Sequence, residues 1–279
     1  MGFVIVAVTS LRWVERSSTM GEPMVTRDDA PIGAPCWVDL MTSDTDGART
    51  FYGEVFGWDA QEPAPEFGGY FNFAKDGILT AGCMLKQSDN PMPDAWTTYL
   101  ATADARATLE AVEANGGQVF VPAMDVGDLG TMAVVADPGG SVIGMWEPKI
   151  HRGFGRYGEP GTPGWFDMQT RDYDTCVSFY RDVFAWTTNT LSDTPEFRYT
   201  TLKVGDEELA GIMDAATFLP VGVPAHWTIV FAVADTDASL AQVVTLGGAV
   251  VVPAADSPYG RLATVSDPTG ATFSLVSGS

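Results

Sequence analysis

The sequence predicts an α+β protein of two tandem modules, each holding two strand–helix–three-strand (βαβββ) units. Two observations carry this. The octapeptide FYGEVFGW at 51–58 returns as FYRDVFAW at 179–186. Its surroundings return with it in the same order: CWVDLMTSD (36–44) as GWFDMQTRD (164–172), and WTTYLATAD (96–104) as WTIVFAVAD (227–235). Further on, EANGGQVFVPAMD (113–125) matches VTLGGAVVVPAAD (244–256), and VVADPGG (134–140) matches TVSDPTG (264–270). A period of about 130 residues marks a duplicated domain rather than a solenoid of short repeats.

Each element follows from its local pattern. In WVDLMT, Val38 and Leu40 alternate with Trp37, Asp39 and Met41, the period-two signature of a strand with two different faces. Ala48, Phe51, Tyr52, Val55 and Phe56 then recur at helical spacing as one apolar stripe, repeated by Cys176, Phe179, Tyr180, Val183 and Phe184. Gly57 offers that helix a left-handed exit. The octapeptide is therefore read as packing, fixing helix to sheet, and not as chemistry. Short strands such as YFNFAK and ILTAGCML follow. A second helix carries Leu109 and Val112 in the first copy and Leu240 and Val243 in the second, each ending at a Gly-Gly pair (116–117 and 247–248).

These blocks divide the chain into an extension at 1–30, a first module at 31–147, a linker at 148–164 and a second module at 165–279. In the extension, FVIVAV (3–8) is far shorter than the roughly 20 residues a membrane-spanning helix needs. It also lacks the basic region and small-residue cleavage site of a signal peptide. The linker, PKIHRGFGRYGEPGTPG, holds five glycines and three prolines and suits neither helix nor strand. Its Lys149, His151, Arg152 and Arg156 admit two readings, a solvated linker strapped to an acidic surface or a clamp on a ligand.

Hydrophobic residues make up 46% of the chain and charged ones 18%, enough to bury a substantial core. Acidic residues outnumber basic ones by 36 to 15, for a formal charge of -21. Such a surface repels phosphate backbones and anionic lipids, so neither nucleic acid nor membrane is an expected partner. A small-molecule ligand is expected instead, on a monomer or weak homodimer. Cys36, Cys83 and Cys176 are odd in number and widely spaced, which suits reduced thiols and a cytoplasmic location.

The paired units, FYxxxFGW on the first helix and DPxG before the last strand together resemble the vicinal oxygen chelate superfamily. That group includes glyoxalase I, bleomycin-resistance proteins and extradiol dioxygenases. The resemblance covers about residues 35–147 and 162–277. It implies that each module curls into an open, barrel-like sheet with its helices outside, around a cavity where metal-dependent members hold a divalent ion. The positions it implies for metal ligands are Trp37, Thr97 and Gly144 in the first module and Trp165, Thr228 and Ser274 in the second. Tryptophan and glycine side chains offer no ligand, and neutral hydroxyls are weak ones. No metal and no cofactor is therefore expected at the usual place. A shifted site could draw on His226, Asp167 and Asp39.

Where the ion would sit, Trp37 and Trp165 present flat apolar faces, joined by Val142 and Trp146 on the last strand of the first module. They either fill a collapsed barrel or line a ligand pocket. Asp39 and Asp167, two residues beyond each tryptophan, aim a carboxylate at an apolar interior. That is costly unless the group is bonded or used, so each is a candidate general base, a partner for a ligand's cation, or a structural acceptor of backbone amides. Thr97, Thr228 and His226 complete the candidate lining. The expected function is a glyoxalase-like protein without the usual metal ligands that binds a small flat or cationic organic molecule. The alternative is an active lyase or isomerase of glyoxalase type, acting on a small carbonyl or thiol adduct through a shifted metal site or a carboxylate base.

Overall fold

The computed structural model describes residues 29–278, so the extension expected at 1–30 lies almost wholly outside the described residues. The first module runs β1 (Pro35–Thr42), α1 (Thr45–Phe56), β2 (Asp59–Ala60), β3 (Phe71–Lys75) and β4 (Ile78–Leu85). It continues with β5 (Ala95–Ala101), α2 (Ala105–Ala114), β6 (Gln118–Val126), β7 (Gly130–Ala136) and β8 (Val142–Pro148). These strands form one eight-stranded sheet in the order β2-β3-β4-β1-β5-β8-β7-β6. Within each unit the helix crossover leaves the first strand parallel to the last, as β1 is to β4 and β5 to β8. The two units join where β1 pairs antiparallel with β5.

The second module repeats this: β9 (Pro163–Thr170), α3 (Tyr173–Phe184), β10 (Thr188–Asp193), β11 (Arg198–Val204), β12 (Glu207–Asp214), β13 (His226–Ala232), α4 (Thr236–Thr245), β14 (Ala249–Ser257), β15 (Gly260–Ser266) and β16 (Thr272–Ser277). Its sheet order, β10-β11-β12-β9-β13-β16-β15-β14, is that of the first. Two curled, open sheets with two helices each are thus the α+β architecture read from the repeat. No helix among the described residues is long and apolar enough to cross a membrane.

The helix stripes fall where periodicity puts them. Ala48, Phe51, Tyr52, Val55 and Phe56 are the buried residues of α1, which starts at an Asp44 cap and leaves through Gly57 at φ 69°. In α3 the buried set is Tyr173, Cys176, Phe179, Tyr180 and Phe184, and Val183 is only half-buried, as are Leu109 and Leu240. Cys36, Cys83 and Cys176 are free and buried, and burial pushes the Cys83 and Cys176 thiols up to about 12.

The octapeptide does more than fix a helix to its own sheet. Phe56 packs 4.8 Å from Phe231 on β13, and Tyr52 lies 5.8 Å from Phe273 on β16. Trp58 Nε1 donates to the Gly161 carbonyl at 2.7 Å, and its repeat Trp186 donates to the Gly33 carbonyl at 2.8 Å. One hydrophobic core runs through both modules as a result.

The linker differs from a solvated strap. Lys149 and Arg152 do pair with acidic residues, Asp125 at 3.4 Å and Asp29 at 3.0 Å. Phe154 and Arg156, however, are buried, the latter against Asp76 at 2.7 Å. The reason is the shared core: a chain passing between two joined sheets has little solvent to lie in.

Candidate functional site

Cross-strand register settles which side chains share a face. On β1, Val38 and Leu40 point to the helices, and Trp37 and Asp39 point to the inner face of the curl. Trp37 pairs with Tyr99, Asp39 with both Thr97 and Gly82, and Tyr99 with Gly144. Pairs directly opposite one another lie on one face, so Trp37, Asp39, Thr97, Tyr99 and the Gly144 position form one inner patch. Trp146 follows two residues after Gly144 on the same face. Val142, two residues before Gly144 and across from Ala136, lies on that face as well, at the start of β8.

At the centre of this patch stands a compact hydrogen-bonded cluster. Trp37 Nε1 donates to Asp39 Oδ1 at 2.8 Å and approaches the Tyr70 hydroxyl at 2.9 Å, and Tyr70 donates to the same Oδ1 at 2.7 Å. Gly82 makes room for it, since a Cβ there would collide with the Tyr70 hydroxyl and the Asp39 carboxylate. Burial raises Asp39 to about 6, although donation from Tyr70, Trp37 and Tyr99 favours its ionised form.

The second module builds the same cluster. Trp165 Nε1 donates to Asp167 Oδ1 at 2.9 Å and approaches the Tyr199 hydroxyl at 2.9 Å, and Tyr199 also donates to Oδ1. Gly211, the repeat of Gly82, pairs with Asp167 and gives the Tyr199 hydroxyl its space. Burial again raises the Asp167 pKa against the pull of Tyr199 and Trp165. Thr228 stands directly across from Asp167, and His226 lies two residues before it with Nδ1 3.0 Å from the Pro224 carbonyl.

The motifs and spacing of the sequence do not single out Tyr70, Tyr199 or Tyr99. The two that repeat were findable, because Tyr70 and Tyr199 sit at the repeat offset in YFNFAK and RYTTLK. The backbone amides suggested as partners for Asp39 and Asp167 are not the ones used; indole and phenol donors are.

The faces also differ. Trp37 is 3% exposed and Asp39 8%, whereas Trp165 and Asp167 stay partly open to solvent. Where the first face has Gly144 and Val134, the second has Ser274 and Thr264, hydrogen-bonded at 2.9 Å, and Tyr259 nearby, which burial and the Asp167 charge push up to about 12. Asp39 and Asp167 belong to separate sheets, each within its own cluster. The shifted metal site of His226, Asp167 and Asp39 does not form: among the described residues, no three His, Cys, Asp or Glu side chains gather to hold an ion.

Comparison with known proteins agrees with this architecture. Residues 36–145 match the family described as glyoxalase/bleomycin resistance protein/dioxygenase superfamily, and residues 165–276 match a glyoxalase-like domain. "Putative glyoxylase CFP32" of Mycobacterium tuberculosis is 37% identical over 258 residues, 91% of this chain and 98% of that protein. "Anthracycline biosynthesis protein DnrV" of Streptomyces peucetius is 37% identical over 260 residues, 88% of this chain and 93% of that protein. Among solved structures, a Mn(II)-bound glyoxalase from Novosphingobium aromaticivorans shares the fold with a TM-score of 0.61 at 14% identity, over 88% of this chain and 82% of that one. With both halves matched and relatives this similar along nearly their full length, the chain belongs to the glyoxalase/bleomycin resistance protein/dioxygenase superfamily.

Proposed function

We propose that this glyoxalase-like protein binds a small flat or cationic organic molecule, without a metal, on the Trp165–Asp167 face of its second module. The observation that carries the reading is the Trp165–Tyr199–Asp167 cluster. Both of its donors bond Asp167 through Oδ1, so neither uses Oδ2, and Trp165 is partly exposed. An open indole stacks on planar rings and attracts cations, and a carboxylate beside it suits an amine. Tyr259, Thr228 and Ser274 add hydroxyls around the same face, which suits a ligand with polar substituents. Two relatives are named for the biosynthesis of anthracyclines, which are flat polycyclic molecules, and that supports the same ligand class.

The metal is left out because of the donors present. The positions that the family resemblance assigns to ligands carry Trp165, Thr228 and Ser274, and in the first module Trp37, Thr97 and Gly144, none a strong ligand. A test is titration with proflavine, a planar cation, and with a neutral anthraquinone, followed by tryptophan emission. Saturable quenching that Trp165→Ala removes supports the reading. Quenching unchanged in Trp165→Ala and Asp167→Asn overturns it.

A second reading rests on the raised carboxylates. Asp39 near 6 and Asp167 above its ordinary range are closer to the poise of a general base than a surface aspartate is. One relative's name, a glyoxylase, points the same way. In this reading Asp167, the more exposed of the two, moves a proton on a small carbonyl or thiol adduct. Turnover of a methylglyoxal–thiol adduct that Asp167→Asn abolishes would favour it.

A further inference from the structure

The two inner faces are alike in construction but not in access. After β8 the chain doubles back over the end of the first sheet. The Lys149 and His151 N–H groups donate to the Leu129 carbonyl at 3.1 and 3.0 Å, Phe154 N–H to the Cys36 carbonyl at 2.9 Å, and Gly155 N–H to the Leu79 carbonyl at 3.0 Å. Gly153 runs so close to β1, at φ 102°, that any Cβ would strike the Cys36 carbonyl. On either side of the ring, Lys149 and Arg152 pair with Asp125 and Asp29.

This strap lays the His151 ring edge-to-face on Trp37, centroids 4.4 Å apart and planes at 89°. The same ring lies 5.5 Å from Trp146, whose Nε1 donates to the His151 carbonyl at 2.8 Å. His151 Nε2 is buried with no hydrogen-bond partner, an unfavourable state that two indoles offset by packing. Burial accordingly lowers the His151 pKa to about 4 and keeps the ring neutral. No histidine does this on the second face: the only other one in the chain, His226, turns Nδ1 to the Pro224 carbonyl.

We propose that His151 is a built-in occupant of the first module's ligand face. Its imidazole takes on Trp37 the place that a ligand's ring takes on Trp165, so each chain keeps one open site, in the second module, and that site accepts a heteroaromatic ring. The inference rests on the ligand-face reading above for the word occupant, and the tests separate the two.

Free imidazole is the probe. His151→Gly removes the ring and keeps the strap's main-chain bonds. Calorimetry should give His151→Gly one more imidazole per chain than the wild type. That increment should vanish with Trp37→Leu and survive Trp165→Ala. No increment in a His151→Gly protein of wild-type circular dichroism overturns the proposal, as does an increment indifferent to Trp37. Should the variant fail to fold, the ring can be read in the wild type by NMR of labelled histidine. A seated His151 stays neutral down to about pH 4, whereas titration near the ordinary 6.5 overturns the proposal. A wild-type protein that shows no planar-ligand binding dependent on Trp165 would sink the ligand-face reading, while the imidazole increment at Trp37 is still measured on its own.

Discussion

The Tyr52 hydroxyl donates at 2.9 Å to Asp267 Oδ2, on the other module, and Tyr180 returns the contact to Asp137 Oδ2 at the same distance. The octapeptide's tyrosine and the aspartate of DPxG are therefore two halves of one clasp, made twice across the pseudo-symmetric interface. Each aspartate also accepts main-chain N–H groups of its own turn, Asp267 from Thr269 and Ala271, and Asp137 from Ser141.

Tyr52→Phe removes the donor and leaves a buried carboxylate short of one bond. A hydrogen bond to a charged group contributes about 1.5–3 kcal/mol. At roughly 2–4 °C per kcal/mol for a chain of this size, the melting temperature should fall by several degrees. Tyr180→Phe should do the same. A change of less than a degree in both would show that the clasp is incidental.

The shared core has a second consequence. Phe56, Phe231, Tyr52 and Phe273 pack across the module boundary, so neither module can lose its fold without exposing the other's aromatic residues. Calorimetry should show one cooperative transition for the full chain, with calorimetric and van't Hoff enthalpies equal. Two resolved transitions would contradict it.

Acid should stabilise the chain between neutrality and about pH 5. Asp39 and Asp137 stand at about 6 when folded, against an ordinary 3.8, because burial disfavours their charge. The folded state thus takes up protons before the unfolded state does, and stability rises as pH falls through 6. His151 works in the opposite sense, since it refuses a proton at pH values where the unfolded chain accepts one. Below about 4 the gain ends. Asp94, which Lys86 and Ser43 hold at about 2 despite its burial, then begins to lose its contribution. Relief of repulsion among the excess acidic residues acts in the same direction as the two aspartates, so variants isolate the terms. From pH 7 to 5 the melting temperature should rise less in Asp39→Asn than in the wild type, and more in His151→Gln. Equal slopes in all three would refute the assignment.

Trp37 offers an optical readout of Asp39, to which it donates at 2.8 Å. Protonation of that carboxylate weakens the bond, so the pH profile of emission should contain a step near 6 that Asp39→Asn removes. A step that persists in Asp39→Asn would assign the titration to another group.

Much of this was legible in the chain because duplication doubles every signal. The β1 and β9 faces, the α1 stripe and both Gly-Gly endings could each be checked against a second copy. Residue types at fixed spacing show which face of a strand a side chain takes, so Trp37 with Asp39 and Trp165 with Asp167 could be paired from the sequence. What they touch could not. Tyr70 reaches Asp39 from a different strand, 31 positions away, and Asp267 meets Tyr52 across 215. His151 was equally hidden, because a Gly-rich segment reads as solvated until the sheet end that it crosses is known.

The measurement that bears most directly on the metal-free ligand face is a thermal melt of the purified protein with each candidate ion and with proflavine. Zinc, nickel, manganese and iron should leave the melting temperature unchanged. Proflavine should raise it in the wild type and not in Trp165→Ala. An ion bound to the folded state at 100 times its dissociation constant would add about 2.7 kcal/mol, well within what a melt resolves. A rise with one of these ions, together with turnover of a methylglyoxal–thiol adduct that a chelator abolishes and the same ion restores, would contradict the metal-free reading.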